Sequence, residues 1–270
     1  GNAEIGVPAD ARRFGAATGS VGALYRVRGP VALVANVARG FRAPAAPDLY
    51  ANGFHEGTRA FERGDPALGV ETSLNTELGV RVNARTLTAE AAGFVNRVRD
   101  YIYLRPFGAG GGAFDSLQVV QGDARLAGWE ARAAWRPAPW VTWQLAGGYV
   151  RGQNLSAGVP LTFVPPLRAQ AGVRLESAAR RGPFAAPYVT AQVEANARQT
   201  RLDPRDLGPA GYALVHLGGG FARPTPRGLV AVDLSVRNAF DARYRPFLSR
   251  YKAFALGPGR AAVLRVTTSW

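Results

Sequence analysis

The segment that most constrains this chain runs from Asn36 to Asn83. In its second half Thr72, Leu74, Thr76, Leu78, Val80 and Val82 occupy one parity, and Glu71, Ser73, Asn75, Glu77, Arg81 and Asn83 the other. Side chains on a strand point alternately to opposite faces, so this period of two marks a strand whose faces meet different surroundings. Val31, Leu33, Ala35 and Val37 alternate in the same way just upstream, ending in the cluster Gly40-Phe41-Arg42-Ala43-Pro44. Between the two runs lie roughly thirty residues rich in Gly, Pro and Asp, too long for an ordinary hairpin connection. Two alternating strands joined by a long loop is the pattern of the outer face of a membrane β-barrel.

Repetition of the pattern predicts about eleven strands, at 16–27, 31–41, 72–83, 86–104, 118–136, 139–151, 166–177, 185–199, 210–222, 228–238 and 260–270. Connections alternate in length. Short ones fall at 28–30, 84–85, 137–138, 178–184 and 223–227, and long ones at 42–71, 105–117, 152–165, 200–209 and 239–259. Outer-membrane barrels have tight periplasmic turns and extended outer loops, which places the long connections outside and Trp270 at the periplasmic rim. Periodicity alone fits equally a soluble sandwich with its apolar parity buried and a barrel with that parity turned to lipid. Aromatic residues favour the barrel: Trp135, Trp140, Phe221 and Trp270 sit near the short turns, and Phe41, Tyr101, Tyr103, Tyr149, Tyr212 and Tyr244 near the long loops. Two girdles at strand ends are the expected interfacial anchors.

At these residues the chain resembles a known family. Gly40-Phe41-Arg42-Ala43-Pro44, then Pro47-Asp48-Leu49-Tyr50, then Gly64-Asp65-Pro66 and Glu71 resemble the paired motif of TonB-dependent outer-membrane receptors, usually GFRAPS…ELY and GNPxLKPE. Ala45 stands for the Ser, Asp48 for the Glu, Asp65 for the Asn, and Gly69-Val70 for Lys-Pro. Asn238-Ala239-Phe240-Asp241-Ala242-Arg243-Tyr244 is similar to the family's NLFDKRY, and Gly257-Pro258-Gly259-Arg260 to the PGR that precedes its last strand. The terminal strand, with Leu264, Val266 and the final Trp270, resembles the signal by which barrel assembly machinery recognises its clients.

The resemblance implies an all-β antiparallel transmembrane barrel portion in the Gram-negative outer membrane. Residues 1–270 would be the C-terminal half of a receptor barrel, since complete transporters of this kind have about 22 strands and a plugged lumen. The plug and its energy-coupling box, which contact the TonB complex, would lie in a missing N-terminal part; the chain does not begin with Met and is read as a piece of something longer. Its expected share is recognition of a metal chelate, a ferric siderophore first, with zinc, haem or cobalamin as alternatives. Outer-membrane lipid and lipopolysaccharide are the expected surroundings. An eleven-strand sheet leaves open edges that lipid does not tolerate, so the missing half or a second copy would have to pair with it.

Composition bounds the rest. No stretch approaches the eighteen or so apolar residues of a transmembrane helix. Zero cysteine removes disulfide scaffolds and thiolate metal sites. Net charge is +14, and Lys252 is the sole lysine. The arginines are dispersed singly along strands and loops, which favours a basic lumen and basic loops over a nucleic-acid site. No nucleophile elbow, phosphate loop or metalloprotease motif is present, so no enzyme and no resident cofactor is expected. Candidate ligand contacts cluster in and beside the longest outer loop: Arg39, Arg42, Arg59 and Arg63 to clamp anionic chelates, Tyr50, Phe54 and Phe61 to stack on rings, and His55 with Glu56 as metal contacts. His216 is placed in the lumen as a satisfied polar residue, with Glu130, Arg132, Asp233 and Arg237 neutralising one another there. A passive porin-like barrel, or a soluble basic β-protein that binds nucleic acid or glycans, is the alternative reading.

Overall fold

The computed structural model describes residues 11–56, 60–107, 115–177, 184–203 and 206–270. Eleven strands form one continuous antiparallel path: β1 (Gly19–Arg28), β2 (Val31–Arg42), β5 (Glu71–Asn83), β6 (Leu87–Pro106), β7 (Asp115–Ala138), β8 (Val141–Asn154), β10 (Arg168–Glu176), β11 (Ala185–Asn196), β12 (Tyr212–Thr225), β13 (Gly228–Arg237) and β14 (Ala261–Ser269). Each strand follows its predecessor in space, and each matches one expected strand to within a few residues. Among the described residues β1 pairs with β2 alone and β14 with β13 alone, so the sheet is open.

The longest connection, expected as plain loop, contains structure of its own. It holds a one-turn helix, α1 (Ala46–Tyr50), and a hairpin of β3 (Asn52–His55) and β4 (Ala60–Arg63). β4 adds in parallel to the outer end of β7, with Ala60 opposite Asp115 and Arg63 opposite Gln118. A further short strand, β9 (Val159–Pro160), pairs with β8 inside the 152–165 connection.

Which parity faces lipid is decided by exposure. Leu78 is 65% exposed, Val189 56% and Leu145 53%, whereas Asn196, on the polar parity, is only 7% exposed. A sandwich would show the reverse, so the apolar face is the outer one and the polar face lines the lumen. Among the described residues no helix is long and apolar enough to cross a membrane.

The lumen face is tied laterally by ion pairs between neighbouring strands. Arg81 and Arg132 flank Glu90 at 3.4 and 2.7 Å, linking β5, β6 and β7. Arg136 and Arg174 flank Glu176 at 2.6 and 2.9 Å. His216 lies 3.7 Å from Glu194 and accepts the Asn238 amide, which bears out its lumen placement. The expected pairing of Glu130 with Arg132 and of Asp233 with Arg237 is corrected: Arg132 pairs with Glu90, and Asp233 accepts a hydrogen bond from the Tyr188 hydroxyl.

The outer aromatic girdle is also corrected in part. At Val98/Tyr101 the β6–β7 register shifts, with one more residue on β6 than on β7. Such a bulge inverts the parity of everything beyond it. Tyr101 therefore packs inward against Val98, Ala124, Leu161 and Val164, and Tyr103 stacks on it with centroids 6.1 Å apart. Tyr212 lines the lumen and lies 4.5 Å from Tyr244.

Candidate functional site

The segment after β2 is held by a carboxylate clamp. Arg42 donates to Asp48 Oδ2 at 3.2 Å and, through Nε and Nη2, to Glu71 Oε2 at 3.4 and 3.3 Å. The same Glu71 oxygen accepts the Ile102 amide at 2.9 Å, and Asp48 accepts the Ala45 amide at 2.9 Å, capping α1. Charge-assisted bonds of this kind fix geometry as well as adding stability. The substitution of Asp48 for the usual Glu thus keeps the acceptor.

The second half of the motif closes the same junction. A Cβ on Gly64 would come within 2.6 Å of the Leu49 carbonyl carbon and the Tyr50 nitrogen, so only glycine lets β4 leave past α1. Asp65 then accepts the Ala67 amide at 2.8 Å, and Leu68 enters a buried cluster with Leu49, Ile102 and Val119. Gln121 grips the exit, donating to the Gly69 and Asp100 carbonyls and accepting the Gly69 amide. The two motif segments are therefore one buttress, and it presents the β3–β4 hairpin outward.

On that hairpin Asn52 stands opposite Arg63 and Phe54 opposite Phe61, which puts Phe54, Phe61 and Arg63 on one face. Both phenylalanines are exposed. His55, opposite Ala60, shares the other face with Glu62, whose carboxylate lies 3.9 Å from Nδ1. Glu56 follows in the turn and is exposed; Arg59 lies outside the described residues. Tyr50 packs against the Leu49 cluster. The structure thus gathers Phe54, Phe61 and Arg63, sets His55 apart from them, and binds Arg42 into the clamp. Among the described residues no group of three or more His, Cys, Asp or Glu is positioned to hold a metal.

A second motif shapes the opposite side of the rim. Asn238, 2% exposed and with φ of 47°, donates through Nδ2 to the Ala242 and Pro258 carbonyls at 3.0 and 3.3 Å and accepts the Ala242 amide at 2.8 Å. Asp241 accepts the Arg260 amide at 2.8 Å. These bonds pinch together the two ends of the 239–259 loop, which accounts for the Asn…Asp…Gly-Arg spacing. Within the loop Tyr244 is pushed above the ordinary phenol range by burial, with the Glu194 carboxylate adding to the effect.

Below the loops the lumen holds a concave space of about 690 Å³. Glu77, Glu90, Glu130, Arg132, Arg168 and Glu194 line it, and Phe247 of the 239–259 loop covers it. These charges were legible only as members of the polar parity; nothing in their local sequence marks them as neighbours.

A family model for the TonB dependent receptor-like, beta-barrel matches residues 2–239. Among solved structures the fold is similar to the copper transporter OprC, with 22% identity and a TM-score of 0.76. It is also similar to the FrpB iron transporter from Neisseria meningitidis, at 16% and 0.65, and to BauA, the ferric preacinetobactin receptor from Acinetobacter baumannii, at 18% and 0.68. Each likeness covers 92% of this chain but only 36–38% of the other, so the chain spans well under half the length of these relatives.

Proposed function

Because the chain belongs to the TonB-dependent receptor-like β-barrel family of the Gram-negative outer membrane, we propose that it is the C-terminal half of a receptor barrel and recognises a metal chelate, a ferric siderophore first. Members of this family transport rather than catalyse. One observation carries the assignment to recognition: the buttress of Arg42, Asp48, Glu71 and Gly64 holds out a hairpin with Phe54, Phe61 and Arg63 on a single face. Aromatic faces stack on catecholate or porphyrin rings, and a guanidinium pairs with an anionic chelate. His55 and Glu56 would approach the metal, and Arg59 would extend the cationic rim. Relatives described as iron, copper and ferric-siderophore proteins support a metal cargo.

In this reading release into the periplasm depends on a plug and the TonB complex, contributed by the remainder of the receptor. The test is tryptophan-fluorescence titration of the complete receptor in detergent with ferric siderophores, haem, cobalamin and copper. A ferric siderophore should bind, and Arg63→Glu should weaken it about tenfold or more, the loss expected of one charge-assisted contact turned repulsive. Unchanged affinity in Arg63→Glu and Phe54→Ala together would refute the hairpin's role. Binding of copper alone would move the cargo from siderophore to bare metal.

A further inference from the structure

We propose that the outward face of β2, β6, β7 and β8 carries a binding site for a phosphorylated lipid of the outer leaflet, built on Arg97 and Arg125. The inference goes beyond chelate recognition and rests on the outer-membrane location. Register places Arg39 opposite Leu74, Leu74 opposite Arg97 and Arg97 opposite Arg125 in one row across four strands. Arg99 stands opposite Thr72, and Arg151 opposite Ala127, the residue two places below Arg125. All five arginines are exposed and share the parity of Leu78, Val95 and Trp129, the lipid-facing one, which corrects the expectation that the dispersed arginines serve the lumen and loops and sets Arg39 apart from the chelate contacts.

Two arginines directly opposite each other on neighbouring strands repel, and such pairs destabilise a sheet. Elsewhere in this protein cross-strand arginines are separated by a glutamate, as Arg81 and Arg132 are by Glu90. Among the described residues Arg39, Arg97, Arg99, Arg125 and Arg151 form no ion pair. The nearby carboxylates, Asp100 and Asp123, lie above the row at the bulge and are exposed. An anion at this level is what would relieve the repulsion.

Depth identifies the anion's carrier. Trp135 and Trp143 stand opposite each other on the outer face beside the periplasmic turn, where interfacial tryptophans belong. Arg125 lies about ten residues further along β7; at about 3.3 Å per residue and a tilt near 40°, that is roughly 25 Å, the height of a barrel's apolar band. The arginine row therefore sits at the outer headgroup level. Directly below it is a shallow outward depression of about 680 Å³, walled by Leu74, Thr76, Leu78, Val95 and Ala127, with Arg97 at its rim. Gly93 keeps it open, since a Cβ there would meet only the Gly128 carbonyl oxygen at 3.8 Å. A cationic rim over an apolar groove fits a phosphate carried on acyl chains and has no use for its lower half with free phosphate.

The experiment uses the complete receptor, delipidated in neutral detergent, titrated with lipopolysaccharide, with the same glycolipid after phosphatase treatment, and with inorganic phosphate. Binding is read as retained lipid in native mass spectrometry and as a rise in melting temperature. The intact glycolipid should bind, and Arg97→Gln with Arg125→Gln should weaken it by about fivefold per arginine. Gly93→Leu, which fills the groove and leaves the arginines in place, should weaken it as well. Without lipid the double variant should melt no lower than the parent, because a repulsion has been removed. Equal retention by the parent and double variant, or by the phosphorylated and dephosphorylated lipid, would overturn the proposal. A full effect from inorganic phosphate alone would overturn the lipid as its source. Chelate affinity should be unaltered in both variants, which separates a failure here from a failure of the recognition reading.

Discussion

Replacing Asp206 with Asn should loosen the outer loops without touching the barrel wall. Lys252 is 6% exposed, and its Nζ lies 2.6 Å from Asp206 Oδ1 and 3.9 Å from the Phe247 ring centroid. Phe163 stands on its other side at 5.2 Å. The sole lysine of the chain thus joins the 239–259, 200–209 and 152–165 loops at one buried point. Removing one member of a buried ion pair leaves an uncompensated charge and costs about 3–5 kcal/mol. The Asp206 side chain retains 15% exposure, so water reaches the pair and the lower end applies, about 3 kcal/mol. Loops open locally at a free energy below that of global unfolding, and each 1.36 kcal/mol is about a factor of ten, so protection should fall roughly a hundredfold. The assay is hydrogen exchange on the complete receptor, followed at the Phe254 and Ala255 amides, which bond to the Tyr251 carbonyl. Strand amides of β5 to β8 should be unaffected. Lys252→Met combined with Asp206→Asn, which removes both charges and keeps the volume, should cost much less than Asp206→Asn alone. Protection within threefold of the parent in Asp206→Asn would refute the reasoning, because the ammonium would then be solvated.

Two further outcomes follow from the rim. Asn238→Ala removes three buried hydrogen bonds and a side chain suited to φ of 47°; it should cost about 2–3 kcal/mol and appear as faster proteolysis of the 239–259 loop, whereas an unchanged cleavage rate would count against the pinch. Tyr244 is held neutral by burial and by Glu194, so its folded value lies above the ordinary 10.0. The stability this contributes is present below pH 10 and is lost as pH rises from there through the folded value. Difference absorbance between the parent and Tyr244→Phe should show one phenol ionising late, and a phenol titrating at the ordinary value would contradict the structure.

Much of the wall is legible in the sequence, for a simple reason. A strand with different solvents on its two faces must alternate, and Thr72 to Val82, Val31 to Val37 and Val189 to Ala197 do so locally. The parts that were not readable depend on contacts distant in sequence. The parallel pairing of β4 with β7 joins segments more than fifty residues apart, so the 42–71 stretch looked like loop. The bulge at Arg99 and Asp100 has no strong signature, yet it turned Tyr101 and Tyr103 from girdle to interior. Of the candidate ligand residues, Arg42 and Tyr50 proved to be engaged in the buttress and its apolar cluster, and the hairpin kept Phe54 and Arg63 together by register alone.

The amino-acid sequence by itself determined the strands, their order along the sheet and the family, because alternation, turn length and the Gly-Phe-Arg-Ala-Pro and Asn-Ala-Phe-Asp segments are local chemistry. Which face met lipid was left to the tertiary structure, since a period of two is identical in a sandwich and a barrel and exposure alone tells them apart. The assembly of Arg42 with Glu71, of Lys252 with Asp206 and of Arg97 with Arg125 was likewise settled only in space. Each pair is brought together by strand register or loop docking over long separations, and no local pattern encodes a neighbour so far along the chain.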